Sequence, residues 1–132
     1  MAITQAMCTS FKTELMTATH NFATNGNAFK LALYAEGSGG KSSTTATLGA
    51  ATTAFTTTGE VASSGTYVTG GLALTKVAPT ASGTTAFTDF ADRSFTTATI
   101  TAMGALIYND TNGDKAVAVL DFGSNKTSTS GT

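Results

Sequence analysis

Hydrophobic and polar positions along the chain sort into one helical period followed by a series of strand-like alternations. Ile3, Met7, Phe11, Leu15, Ala18 and Phe22 recur at intervals of three and four, which sets them on one face and predicts an amphipathic helix over residues 3–22. Gln5, Ser10, Lys12, Thr13 and Thr17 occupy the other face, and Asn25-Gly26-Asn27 ends the pattern with turn-forming residues. Over Ala28–Ala35, Phe29, Leu31 and Leu33 then alternate with Lys30, Ala32 and Tyr34, the period of a strand. About 25 residues without an apolar period follow, a length that in a compact domain points to a functional or contact loop. Gly37–Ser43 has the composition of a flexible loop, and Phe55 is the one large apolar anchor nearby.

Shorter signals fill the middle of the chain. Glu60-Val61-Ala62 predicts a short strand closed by Ser63-Ser64-Gly65. Thr66–Val68 and Leu72–Leu74 read as two strands around Gly70-Gly71, or as one strand with a bulge there. Lys76–Ala78 extends that run until Pro79, the only proline, ends it or places it at an edge, and Ser82-Gly83 is a turn. Phe87 and Phe90 lie three apart, as in a helical turn, but the flanking threonines favour strand. Thr96–Met103 alternates as a strand leading into Gly104–Gly123. There two apolar runs, Ala105–Tyr108 and Ala116–Phe122, are joined by a polar segment centred on Asn112-Gly113. Asn-Gly accepts positive φ, so the segment predicts a hairpin. After Phe122 the polar sequence GSNKTSTSGT reads as a loop or frayed end.

Strand signals at roughly ten-residue spacing, with no helical pattern between them, favour an antiparallel sandwich or barrel over a βαβ fold. The expected fold is a single domain over residues 1–132, mainly β. A helix spans 1–22, an antiparallel, jelly-roll-like β-sandwich spans 28–122, and a polar loop spans 123–132. A chain of this length can bury about two-thirds of its unfolded surface, so it needs neither metal nor disulfide to fold.

Charge narrows the classes of function. Only 11% of residues are charged and the net charge is −1, against about 25% charged in ordinary domains. Lysines and arginines are scattered rather than clustered, which argues against a nucleic-acid footprint. A surface poor in charge desolvates cheaply against neighbours. No apolar run approaches the ~18 residues of a membrane span. The N-terminus lacks a basic region followed by an apolar block, so the expectation is a product made in the cytosol.

Candidate chemistry is sparse. Cys8 has no partner for an internal disulfide and reads as a small core residue. His20, the only imidazole, reads as a helix-end residue bonding a nearby carbonyl, since neither a triad nor a zinc-ligand spacing surrounds it. Asp89 and Arg93 would form an ion pair if their turn were helical. Asp110, Asn112 and Asp114 alternate as at the start of a calcium loop. However, Gly113 comes too early and no glutamate follows at the twelfth position, so a turn is expected. Gly37, Gly39 and Gly40 do not open a helix and so do not form a phosphate loop. No catalytic, cofactor-binding or metal-ligating residue is assigned.

Four blocks, AITQAMCTSFKTEL, FKLALY, TLGAATTAFTTTGEV and GALIYNDTNGDKAVAVLDFG, resemble a family of small proteins encoded among the virion structural genes of tailed bacteriophages and prophages. The likeness covers most of the chain in the same order and is strongest over AVAVLDFG. It implies a virion location after synthesis in the host cytoplasm. It also implies one of two non-enzymatic roles: a capsid decoration or cement protein bridging subunits of the shell, or a tail or head-fibre component that binds a receptor or glycan. The implied partners are the major capsid protein and copies of the chain itself, in a trimer or other closed oligomer, with no nucleic acid and no membrane. Phe11 and Leu15 on the helix, the Gly37–Phe55 loop, and Tyr34, Tyr67 and Tyr108 are the expected contact residues. A glycan would draw on those tyrosines with Asn109 and Asp110. Family members continue past the Thr-Ser-rich segment into another apolar strand. A chain stopping at Thr132 is therefore expected either to be shortened or to leave AVAVLDF with an edge open to another chain.

Overall fold

The computed structural model describes residues 3–35 and 47–132. It is mainly β and antiparallel, with one short helix. In chain order the elements are β1 (Ala6–Met7), α1 (Thr9–Met16), β2 (Phe29–Tyr34), β3 (Leu72–Ala73), β4 (Lys76–Ser82), β5 (Thr85–Phe90), β6 (Ala98–Asn109) and β7 (Lys115–Gly131). Five strands form one sheet in the order β1-β7-β6-β2-β3, and β4 and β5 pair only with each other.

The β6–β7 hairpin is the spine of the sheet. Asn109 pairs with Lys115 around the turn, and positive φ falls on Gly113 (65°) and Asp114 (55°). The Asn-Gly signal therefore located the turn, with the left-handed residues one position later than Asn112. On the far side of β6, β2 runs in unbroken register from Phe29↔Asn109 to Tyr34↔Gly104. Alternate positions point to opposite faces, and both faces are used. Ala32, Tyr34, Leu106, Tyr108 and Val119 pack under α1 with Ile3, Cys8, Phe11 and Leu48. Leu33, Ala98, Ile100, Ala102 and Ala105 pack on the other face with Val61 and Tyr67. At the end of the first face Phe22 stacks on Phe29 with centroids 4.4 Å apart, and Phe90 lies 5.7 Å from Phe29. Such aromatic pairs contribute about 0.5–1.5 kcal/mol beyond their buried area.

Three expectations are corrected. The helix occupies Thr9–Met16, not 3–22. Ala6 and Met7 instead pair with Val119 and Ala118, and Ala18 adopts φ 56°, which stops the helix. Met7 and Leu15, grouped with Phe11 on one face by the helical period, are 52% and 43% exposed. The C-terminal segment is strand, not loop: after an excursion over residues 122–125 that turns at Gly123, Lys126 and Thr127 pair with Ala102 and Thr101. Threonine hydroxyls of 101 and 127 meet at 3.0 Å and Ser128 Oγ donates to the Ala98 carbonyl. Cross-strand threonine pairs of this kind hold polar strands together without an apolar period. The AVAVLDF block also has an in-chain neighbour, because β1 and the Cys8 N–H to Val117 C=O bond (3.0 Å) cover its outer edge.

Pro79 does not end its strand. It sits in the register shift between Val77 and Thr80, a bulge position where a missing N–H costs no ladder bond. Glu60 makes a single bridge to Tyr34 rather than a strand, and of the segments around Gly70-Gly71 only Leu72–Ala73 joins the sheet. Gly37–Ser43 lies outside the described residues.

Candidate interaction surface

The residues with reactive side chains are held inside by their own hydrogen bonds. His20 is buried, with Nε2 2.6 Å from Glu14 Oε2 and Nδ1 2.9 Å from the Asn109 amide nitrogen. The Asn109 carbonyl oxygen accepts the Thr111 and Asn112 N–H groups at 3.1 Å each. That fixes the amide with its NH2 towards His20, so Nδ1 accepts and Nε2 carries the proton donated to Glu14. His20 therefore bonds a carboxylate and an amide, not the carbonyl expected from its place in sequence. Asn112 turns its amide inward to the Thr19 carbonyl and Asn27 Oδ1, while Asp110 pairs with Lys30 at 3.1 Å. These bonds make the Asp110–Asp114 segment a turn tied to the body.

A second interior cluster collects the tyrosines. Glu60, buried, accepts from the Tyr67 hydroxyl at 2.8 Å and from the Gly70 N–H. Tyr67 Oη in turn accepts the Leu33 N–H at 2.9 Å. Tyr34 donates to the Thr56 carbonyl at 2.6 Å and Tyr108 to the Gly70 carbonyl. Burial pushes all three phenols well above their usual value, and the Glu60 charge acts in the same direction. Burial and the Glu14 carboxylate likewise raise the Cys8 thiol, which suits an inert core residue.

Of the expected contact residues, Phe11, Tyr34, Tyr67 and Tyr108 are thus placed in the interior. Phe55 is half-buried and stacks on Tyr108 with centroids 4.8 Å apart, so it anchors its loop to the sheet. Leu15 alone of the six is exposed. Asn109, a candidate glycan contact, is fully buried.

The surface instead carries two features that the sequence did not single out. The first is the β4–β5 hairpin, an arm whose residues are exposed from Val77 through Asp89. It is fixed at its base by Phe90 against Phe22 and Phe29, by the Ala91 N–H to Thr75 C=O bond (2.9 Å), and by Lys76 Nζ donating to the Asn27 carbonyl. Val77 and Phe87 are 46% and 49% exposed on it. Asp89 lies in β5 and Arg93 beyond its end, so no helical Asp89–Arg93 pairing forms; Asp89 Oδ1 accepts the Phe90 N–H at 2.8 Å instead. The second feature is an open groove of about 430 Å³ on the second face of the sheet, lined by Leu31, Leu33, Phe95, Leu120 and Phe122 with Arg93 and Lys126. Part of the arm was legible, since Ser82-Gly83 reads as a turn and the threonines flanking Phe87 and Phe90 favour strand, but no local spacing shows that these two strands pair only with each other.

No protein-family model, curated protein or solved structure matches the chain. Among the described residues no helix is long and apolar enough to cross a membrane.

Proposed function

We propose that this chain is a non-enzymatic structural protein of a bacteriophage virion, a decoration or cement protein that stabilises the shell by bridging capsid subunits. The observation that carries this reading is the β4–β5 arm. It holds half-exposed Phe87 and Val77 away from a body whose histidine, buried glutamate, cysteine and tyrosines are all engaged internally. An exposed aromatic on a firmly based arm suits contact with another chain of the assembly, a further copy included, and the rest of a surface with few charges loses little on being covered by shell subunits. The virion setting rests on the four sequence blocks described above. The jelly-roll-like sandwich expected from strand spacing belongs to the same proposal, with cover for the groove face completed in the assembly.

The mechanism is mass action: a protein that binds the assembled shell and not its separated subunits stabilises the shell in proportion to occupancy. The test is to add purified protein to shells lacking it and follow binding by co-sedimentation and shell opening by heating. Saturable binding with a rise in opening temperature is expected. Absence of binding to shells, with binding to tails or to a glycan array, would replace this reading with the fibre one.

A further inference from the structure

The arm and the groove match in polarity and charge. We propose that the β4–β5 arm of one copy seats in the groove of a second copy of this chain, in a closed assembly where every copy both gives an arm and receives one.

Register places the relevant side chains together. Val77 lies opposite Asp89 and Thr80 opposite Phe87, so these four share one face of the arm. That face offers two apolar side chains and one carboxylate. Lys76, the arm's other charge, is turned back to the Asn27 carbonyl, so the outward charge is negative. The groove offers the complement: an apolar floor of Leu33, Leu120 and Phe122 with the cations Arg93 and Lys126 beside it. Asp89 meeting either cation would fix the direction of docking, and Phe87 on the floor would supply most of the apolar burial.

Extent and position agree with exchange. None of the residues from Lys76 to Phe90 lines the groove of its own copy. The segment Ala91–Phe95 runs from the arm's base directly to the groove wall, where Phe95 packs edge-on against Tyr67, so arm and groove lie side by side. The arm's strands are seven and six residues long. A stable interface commonly engages about 20–30 residues a side. One arm in one groove falls short of that, whereas in a two-fold pair giving and receiving lie in the same interface and together reach it. This inference concerns self-association and does not require the virion setting.

The test pairs two exposed or groove positions by cysteine. Full-length Thr80→Cys and Thr127→Cys chains, which keep Phe87 and Phe122, are mixed, oxidised and separated without reductant; Thr80 shares the face of Phe87, Thr127 lines the groove, and Cys8 is buried and does not contribute. A crosslinked heterodimer well above that formed by Thr80→Cys with Thr13→Cys is expected. In parallel, sedimentation of the wild type should show an oligomer, and Phe87→Asp should reduce it to the 13.2 kDa monomer with circular dichroism unchanged. A wild type that stays monomeric, a crosslink no stronger than the control, or an oligomer indifferent to Phe87→Asp each overturns the proposal. A fragment of another protein or a lipid bound in the groove of a monomer would do the same. Failure here would leave shell binding untouched, and failure to bind shells would leave the crosslink untouched.

Discussion

Replacing Asn109 by alanine probes the join between the N-terminal segment and the main hairpin. Asn109 is fully buried and makes four hydrogen bonds: two accepted from the N–H groups of Thr111 and Asn112, two donated to His20 Nδ1 and Asn27 Oδ1. In the variant, water can replace the partner of Thr111, which is exposed, and reach Asn112 in part. Asn27 Oδ1 keeps bonds from the Asn21 N–H and the Asn112 amide. His20 Nδ1 keeps nothing, and its side chain has no exposed surface. One orphaned buried acceptor costs about 1–3 kcal/mol, and the weakened turn adds about 1 more, giving about 2–4 kcal/mol. For a chain of this length that is a fall in Tm of about 8–16 °C. Urea and thermal unfolding followed by circular dichroism measure it, with Asn125→Ala, an exposed asparagine, as the control expected within about 0.5 kcal/mol of wild type. A loss below about 1 kcal/mol would refute the claim that this amide ties His20 and Glu14 to the hairpin.

Three further outcomes follow from the same structure. The three tyrosines are raised by burial, so above about pH 10 the unfolded chain binds fewer protons than the folded one and stability falls as pH rises. Tyrosinate absorbance should therefore appear only together with loss of circular dichroism, and ionisation near pH 10 with the fold intact would contradict the burial. Gly70 and Gly71 both have positive φ, but a Cβ on Gly70 meets open space while one on Gly71 would overlap the Leu31 carbonyl. Gly70→Ala should cost about 1–2 kcal/mol and Gly71→Ala clearly more, since β2 backbone must shift; equal losses in denaturant titration would argue against this close approach. Ser10 Oγ is buried without a partner, so Ser10→Ala should leave stability unchanged or raise it by up to about 1 kcal/mol. A loss of more than that would mean the hydroxyl has a partner.

What the sequence revealed follows from how local each signal is. β2 and the turn at Gly113 were legible because alternation over six residues and an Asn-Gly dipeptide each decide structure within a few positions. Helix α1 was overextended because Ile3, Met7 and Phe22 fit a helical period while being held by other elements: Ile3 by a bridge to Leu48, Met7 by β7, Phe22 by Phe29. Residues 126–131 carry no apolar period, since pairing with β6 comes from backbone and hydroxyl bonds. The burial of the tyrosines depends on Glu60, Thr56 and Gly70, which lie 7 to 38 residues away, and the His20–Asn109 contact spans 89. Neither could be read from spacing. The arm was only partly legible: Ser82-Gly83 marked its turn, while Pro79 read as an end or an edge, and the strand bulges there and continues.

The number of copies of this protein in purified particles, relative to the major shell protein, tests the central claim most directly. Quantitative mass spectrometry with labelled peptides from both proteins gives that ratio. A decoration protein should be present in numbers comparable to the shell protein, and particles stripped of it should open at lower temperature. A handful of copies per particle, or none, would contradict the account and move the protein to a tail or fibre, or out of the virion altogether.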